Sequence, residues 1–123
     1  MSALAPTLQA FFTDRLIRQR NASSNTIAAY RDTMRLLLGY VTARTGIPPS
    51  RLDIDELDAP TIGGFLDHLE QERRNSVRTR NARLSAIHSL FRYAALTHPE
   101  HADSIARVLA IPPKRCDREL PPV

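Results

Sequence analysis

The sequence predicts an all-α fold, a bundle of four to five helices. Apolar residues recur at the 3-4 spacing of one helical face, and Ser or Asp residues suited to helix caps precede the periodic runs. No segment alternates with a period of two, and no hairpin signal occurs. With 123 residues, 42% of them hydrophobic and 24% charged, the chain has the size and composition of one packed domain.

The first helix is predicted over about Pro6 to Arg20, with Pro6 in its opening turn and Leu8, Phe11, Phe12 and Leu16 as its stripe. Asn21-Ala22 breaks it. The second helix runs from about Ser24 to Arg44 behind Ser23 as N-cap, with Ile27, Tyr30, Met34, Leu37 and Val41 spaced 3, 4, 3 and 4. Gly46, Pro48 and Pro49 end it. Asp58 caps the third helix, Pro60 lies in its first turn, and Leu57 and Ile62 have the spacing of a hydrophobic staple. Its stripe is Ile62, Phe65, Leu66 and Leu69. Gly63-Gly64 within it costs roughly 1 kcal/mol per glycine against Ala, which points to a close neighbour or else to a late helix start. Ser76 caps the fourth helix, which carries Leu84, Ile87, Leu90, Phe91 and Ala94. A shorter fifth helix follows Pro99, with Ile105, Val108 and Leu109 as its apolar side. The helical domain is placed at residues 1–110. Residues 111–123, IPPKRCDRELPPV, have the proline-rich, charged composition of a linker.

The charges are sorted along the chain. Sixteen of the 17 basic residues are arginines, and guanidinium forks suit phosphates and guanine edges. From Asp53 to Glu72 there are seven acids and no Arg or Lys; from Arg73 to Arg92 there are six arginines and no acid. Such sorting predicts a basic face, and basic faces meet polyanions. The lone Cys116 forms no internal disulfide, no apolar run reaches the length of a membrane span, and the N-terminal segment lacks the pattern of a secretory signal. The expected location is intracellular, with no membrane partner.

Helices two and four begin alike, Ser23-x-x-Thr26 and Ser76-x-x-Thr79. In that register Ile27 and Tyr30 correspond to Arg80 and Arg83. Arg80 falls in line with the apolar stripe, one turn before Leu84. An unpaired buried guanidinium is very costly, so the core is expected to stop near Leu84 and the tip, with Arg78, Arg80 and Arg83, to project beyond it. A projecting helix N-terminus with arginines attracts phosphate. On helix two, Ser24, Ala28, Arg31 and Arg35 line up beside the apolar stripe and offer a second such surface.

The Ser23–Tyr30 run S-x-x-T-x-x-x-Y, the later SVRTRNARLSAIHSLFRYA and the closing IPPKRCDREL together resemble the N-terminal core-binding (SAM-like) domain of tyrosine recombinases, the phage-integrase family. The resemblance spans about Leu4 to the chain end. It implies a small helical bundle that lies on one face of duplex DNA. It implies further that a C-terminal catalytic domain of the same polypeptide, beyond the linker, closes on the other face. It also implies that helices two and four present their N-terminal parts to the major groove, and that further protomers join when the protein assembles on DNA. The expected DNA contacts are Ser24, Asn25, Thr26, Arg31, Arg35, Arg74, Arg78, Thr79, Arg80, Asn81, Arg83, Lys114 and Arg115.

No catalytic residue, metal ligand or cofactor is expected here. In the family, strand cleavage uses a tyrosine nucleophile with Arg and His partners in the catalytic domain. Tyr30, Tyr40 and Tyr93 instead lie in helices of the first domain, and His88 lacks an arginine three residues on. His98 and His101 are three apart but have no third ligand nearby in sequence. His68 and His88 read as surface or edge residues. Arg73-Arg74 occupies a turn where a glycine would be expected. Two alternatives have other signatures. A helix-turn-helix regulator joins its two helices by a turn of about 3–4 residues, and a protein-interaction module would turn the arginines to an acidic partner.

Overall fold

The computed structural model describes residues 2–115. Among them are five α-helices: α1 (Leu4–Ala10), α2 (Ser24–Thr45), α3 (Ala59–Gln71), α4 (Val77–Thr97) and α5 (Ala102–Leu109). Short 3₁₀ turns at Pro49–Arg51, Ile54–Glu56 and Pro99–His101 link them. The all-α expectation holds. Cys116 and the rest of the predicted linker beyond Arg115 lie outside the described residues.

Each boundary has a local cause. Ser23, Asp58 and Ser76 accept hydrogen bonds from the backbone N–H of Thr26, Thr61 and Thr79, the capping geometry their types favour. Gly46 ends α2 in the left-handed region, φ 76°, as helix-terminal glycines do. Leu57 and Ile62, the predicted staple before and inside α3, are both buried.

The first helix departs from its prediction. After Ala10 it widens into a π-helical stretch, Phe11–Gln19. The i→i+5 ladder places Phe11 and Leu16, five residues apart, on one line, and both are fully buried. An α-helix would have swung Leu16 off that line. The stretch closes with Arg20 N–H on the Arg15 carbonyl at 3.0 Å and Ala22 N–H on the Leu16 carbonyl at 2.8 Å.

The core lies around α4, which packs on α2, α3, α5 and the π-helical stretch. Leu37, Phe65, Leu66, Ile87 and Val108 are fully enclosed, and each such side chain contributes roughly 1.5–3 kcal/mol by leaving water. Phe11 links the layers, its ring parallel to Tyr30 and tilted against Tyr93. The first described residues are tied down as well: Ala3 bridges to Asp53, with Leu4 N–H on the Leu52 carbonyl and Ile54 N–H on the Ser2 carbonyl.

Of the two α3 glycines, Gly64 has a close neighbour. A Cβ there would stand 2.6 Å from the Tyr40 hydroxyl, whereas at Gly63 it would meet nothing within 4 Å. Close packing explains one glycine of the pair, and nothing in the structure explains the other. Among the described residues no helix is long and apolar enough to cross a membrane.

Candidate nucleic-acid interface

The two S-x-x-T tips fold as one repeated piece of backbone. Ser23 Oγ accepts from Thr26 N–H at 3.1 Å and donates to Thr26 Oγ1 at 3.0 Å. Ser76 and Thr79 repeat both contacts, each at 3.1 Å. Two residues before each cap the chain passes through positive φ, 46° at Asn21 and 56° at Arg74. The turn before α4 thus does need a residue of the left-handed region, and arginine occupies it.

The helices start side by side and enclose a groove of about 650 Å³. Asn25, Thr26, Ala29 and Tyr30 line it from α2; Arg78, Thr79, Ala82 and Ala86 line it from α4. The alanines keep the walls low, so a bulky partner can reach the backbone of both helices.

Asp32, Thr33 and Arg83 complete the groove lining. Arg83 is held by three acceptors: its Nη1 donates to Asp32 Oδ2 at 3.2 Å and to Thr33 Oγ1 at 3.3 Å, and its Nε donates to Asn75 Oδ1 at 3.3 Å. Asp32 also accepts from Arg35. The two guanidiniums, Arg35 first and Arg83 second, hold the Asp32 carboxyl below the usual carboxylate range. Asp32 therefore stays ionised in a groove edged by arginines. Sequence reasoning missed it; the available signal was an acid three residues before Arg35 on a basic helix.

The expected projecting tip is corrected at two of its three arginines. Arg80 is buried at 6% exposure, so the enclosed region continues past Leu84. Its Nε stands 3.0 Å from Glu70 Oε1, close enough for an ion pair although the two atoms are not aligned for a hydrogen bond. The α3 carboxylate, together with Asn81 Oδ1, which accepts from Arg80 Nη1 at 3.2 Å, is what permits a guanidinium in the apolar line. Arg83 lies half-buried in its bracket. Only Arg78 of the three is exposed in the manner expected.

The remaining candidates divide by position. Asn25, Thr26 and Thr79 line the groove with Arg78 and Arg83. Ser24, Arg31 and Arg74 are exposed outside its lining, and Arg115 is exposed at the end of the described chain. Arg35 borders a neighbouring hollow of about 420 Å³ with Tyr40, Arg44, Phe65, His68 and Arg73. Asn81 and Lys114 lie away from the groove lining and bond to each other. Asn81 Nδ2 donates to the Lys114 carbonyl at 2.7 Å, Lys114 N–H donates to Asn81 Oδ1 at 2.9 Å, and Lys114 Nζ reaches Glu70 at 2.9 Å.

The histidines serve the fold. His88 Nε2 is 3.0 Å from the Val108 carbonyl, joining α4 to α5, and burial pushes its imidazole below its ordinary pKa despite that bond. His98 bonds Thr7, and His101 Nδ1 contacts Asp55 Oδ1 at 2.8 Å. Asp53, Asp55 and His101 form a group of possible metal ligands, separate from His98. The Asp53 oxygens already accept from Ser2 N–H and Asp55 N–H, whereas His101 Nε2 is buried without a hydrogen-bond partner among the described residues.

A family model described as "Phage integrase, N-terminal SAM-like domain" matches residues 9–98. Among curated proteins the chain is 56% identical, over 97% of its length, to "Putative integrase/recombinase y4rC" of Sinorhizobium fredii (strain NBRC 101917 / NGR234). It is 44% identical, over 95% of its length, to "Putative integrase/recombinase y4rD" of the same strain. The chain spans 36% and 42% of those two relatives. No solved structure matches it. The family match covers both capped tips and the α4 stem between Arg80 and Ala94, so the chain belongs to the N-terminal SAM-like domains of phage integrases.

Proposed function

We propose that this chain is the DNA-binding domain of a site-specific tyrosine recombinase, gripping one face of a duplex with the N-terminal turns of α2 and α4. The observation that carries this reading is the groove between two Ser-capped helix starts. Two positive dipole ends and the exposed Arg78 meet there, with Arg31, Arg35 and Arg74 on the surrounding surface. Phosphate contacts from the exposed arginines position the domain, while Asn25, Thr26, Thr79 and Asp32 are the groove side chains with base-edge chemistry. The chain's part is binding, not cleavage. Breaking and rejoining strands belongs to a catalytic domain further along the same polypeptide, in the cytoplasm, with other protomers on the same DNA.

A helix-turn-helix regulator fits less well, because the whole of α3 separates α2 from α4. For the isolated chain, titration against random duplex DNA should give a dissociation constant of ~10⁻⁴–10⁻⁶ M that weakens steeply with salt. An affinity unchanged between low and moderate salt would remove the reading. Supercoiled plasmid should stay supercoiled in its presence.

A further inference from the structure

We propose that Asn81 is a positioning residue that locks the direction in which the polypeptide leaves the helical domain. Its carboxamide pairs with both backbone groups of Lys114, donating to the carbonyl at 2.7 Å and accepting from the N–H at 2.9 Å, across 33 residues of sequence. A single hydrogen bond would fix only where the chain passes. Two bonds to one residue imitate a neighbouring peptide and also fix which way the chain runs.

Three further features stiffen the exit. Ile111 packs against the core and donates its N–H to the Val108 carbonyl at 3.1 Å. Pro112 and Pro113, with φ fixed near −65° by their rings, join that anchor to Lys114. Lys114 Nζ then bonds Glu70, the carboxylate that also faces the buried Arg80. Chain exit, α3 and α4 therefore meet at one node. Asn81 lies within one turn of α4 of both Arg78 and Arg83, which line the groove. The direction of exit is consequently set within one helical turn of the DNA-facing surface.

The lock stands on this geometry alone. Its consequence, that whatever follows Lys114 approaches the DNA from a preset side, rests on the DNA-binding reading above. In the longest natural form of the protein, Asn81→Ala should speed hydrogen exchange at the Lys114 amide by tenfold or more, with exchange at Leu84 and Leu90 unchanged. Asn81→Asp should fall between, since a carboxylate accepts from the Lys114 N–H but donates nothing to its carbonyl. Pro113→Gly leaves α4 untouched and covers the case in which Asn81→Ala perturbs folding. Both it and Asn81→Ala should slow DNA strand cleavage at the recombination site by about tenfold. Unchanged Lys114 exchange in Asn81→Ala would overturn the lock. Faster exchange with undiminished cleavage in both variants would overturn the positioning role. A wild-type protein that fails to bind DNA would overturn the proposed function and leave the exchange result standing.

Discussion

The starts of α2 and α4 share a turn, a cap and a groove, yet they solve the position four residues after the cap differently. In α2 that position is Ile27, packed partly against the core. In α4 it is Arg80, more deeply buried than Ile27 and facing Glu70. The comparison shows that an apolar register position tolerates a guanidinium when a neighbouring helix supplies a carboxylate. It also shows that equal helix starts need not present equal surfaces. The α2 tip offers small and polar groups, whereas the α4 tip offers Arg78 above a bracketed Arg83.

The sharpest way to break the comparison is at Glu70. Glu70→Ala should destabilise the chain by on the order of 3 kcal/mol, because it takes the counter-charge from the buried Arg80 guanidinium and leaves it the neutral Asn81 Oδ1 as acceptor. Restoring the α2 solution with Arg80→Ile in the same variant should recover most of that loss. Chemical denaturation of the single and double variants measures both. If Glu70→Ala were nearly neutral, the neutral acceptor at Asn81 would suffice for Arg80 and the carboxylate would not be what permits its burial.

Most of the fold was legible because its causes are local. The caps at Ser23, Asp58 and Ser76, the Leu57–Ile62 staple and the Gly46 stop each depend on residues within a few positions. The π-helical stretch was not, since a switch to five-residue closure follows from where Phe11 and Leu16 must sit in the assembled core. The α4 tip failed for a related reason. The carboxylate that pairs with Arg80 stands ten positions upstream and the Lys114 backbone that bonds Asn81 thirty-three downstream, so neither contact is visible in a local pattern. Sign sorting between Asp53–Glu72 and Arg73–Arg92 predicts a basic face. At Glu70–Arg80 it is instead a contact between α3 and α4.

A smaller effect tests whether the two tips are equivalent where they look alike. Ser23→Ala and Ser76→Ala should each cost about 1 kcal/mol, the usual loss for a Ser N-cap. Similar losses in thermal denaturation would support the shared turn. A much larger loss at Ser76 would mean that the α4 cap also holds the Glu70 node together.

Acid should loosen the α4–α5 junction by less. His88 titrates below its ordinary pKa in the folded chain because of burial. As pH falls below about 6.5, the unfolded chain takes up a proton that the folded chain resists, so stability drops until pH passes the lowered folded value. The melting temperature should therefore fall between pH 7.5 and 5.5, and His88→Gln should flatten that part of the profile. A profile unchanged by the substitution would assign the acid sensitivity to other groups.

The smallest stability change is expected where the two turns differ most in cost. Asn21 and Arg74 occupy the same left-handed position two residues before a cap. Asn adopts that conformation readily, whereas an ordinary side chain pays roughly 1–2 kcal/mol for it. Arg74→Gly removes this strain but frees the unfolded chain by roughly 0.5–1 kcal/mol, so stability should stay level or rise by up to ~1 kcal/mol. Asn21→Gly should be close to neutral. DNA binding separates the residues in the other direction. Losing one phosphate contact at Arg74 should weaken binding alike on all sequences and lower the salt slope by about one, while Asn21→Gly leaves the slope alone. A more stable chain that binds DNA less well would mean that Arg74 is kept at a strained position for what its guanidinium touches. Unchanged binding by Arg74→Gly would instead make the α4 turn a tolerated defect and confine the interface to the groove and to Arg31 and Arg35.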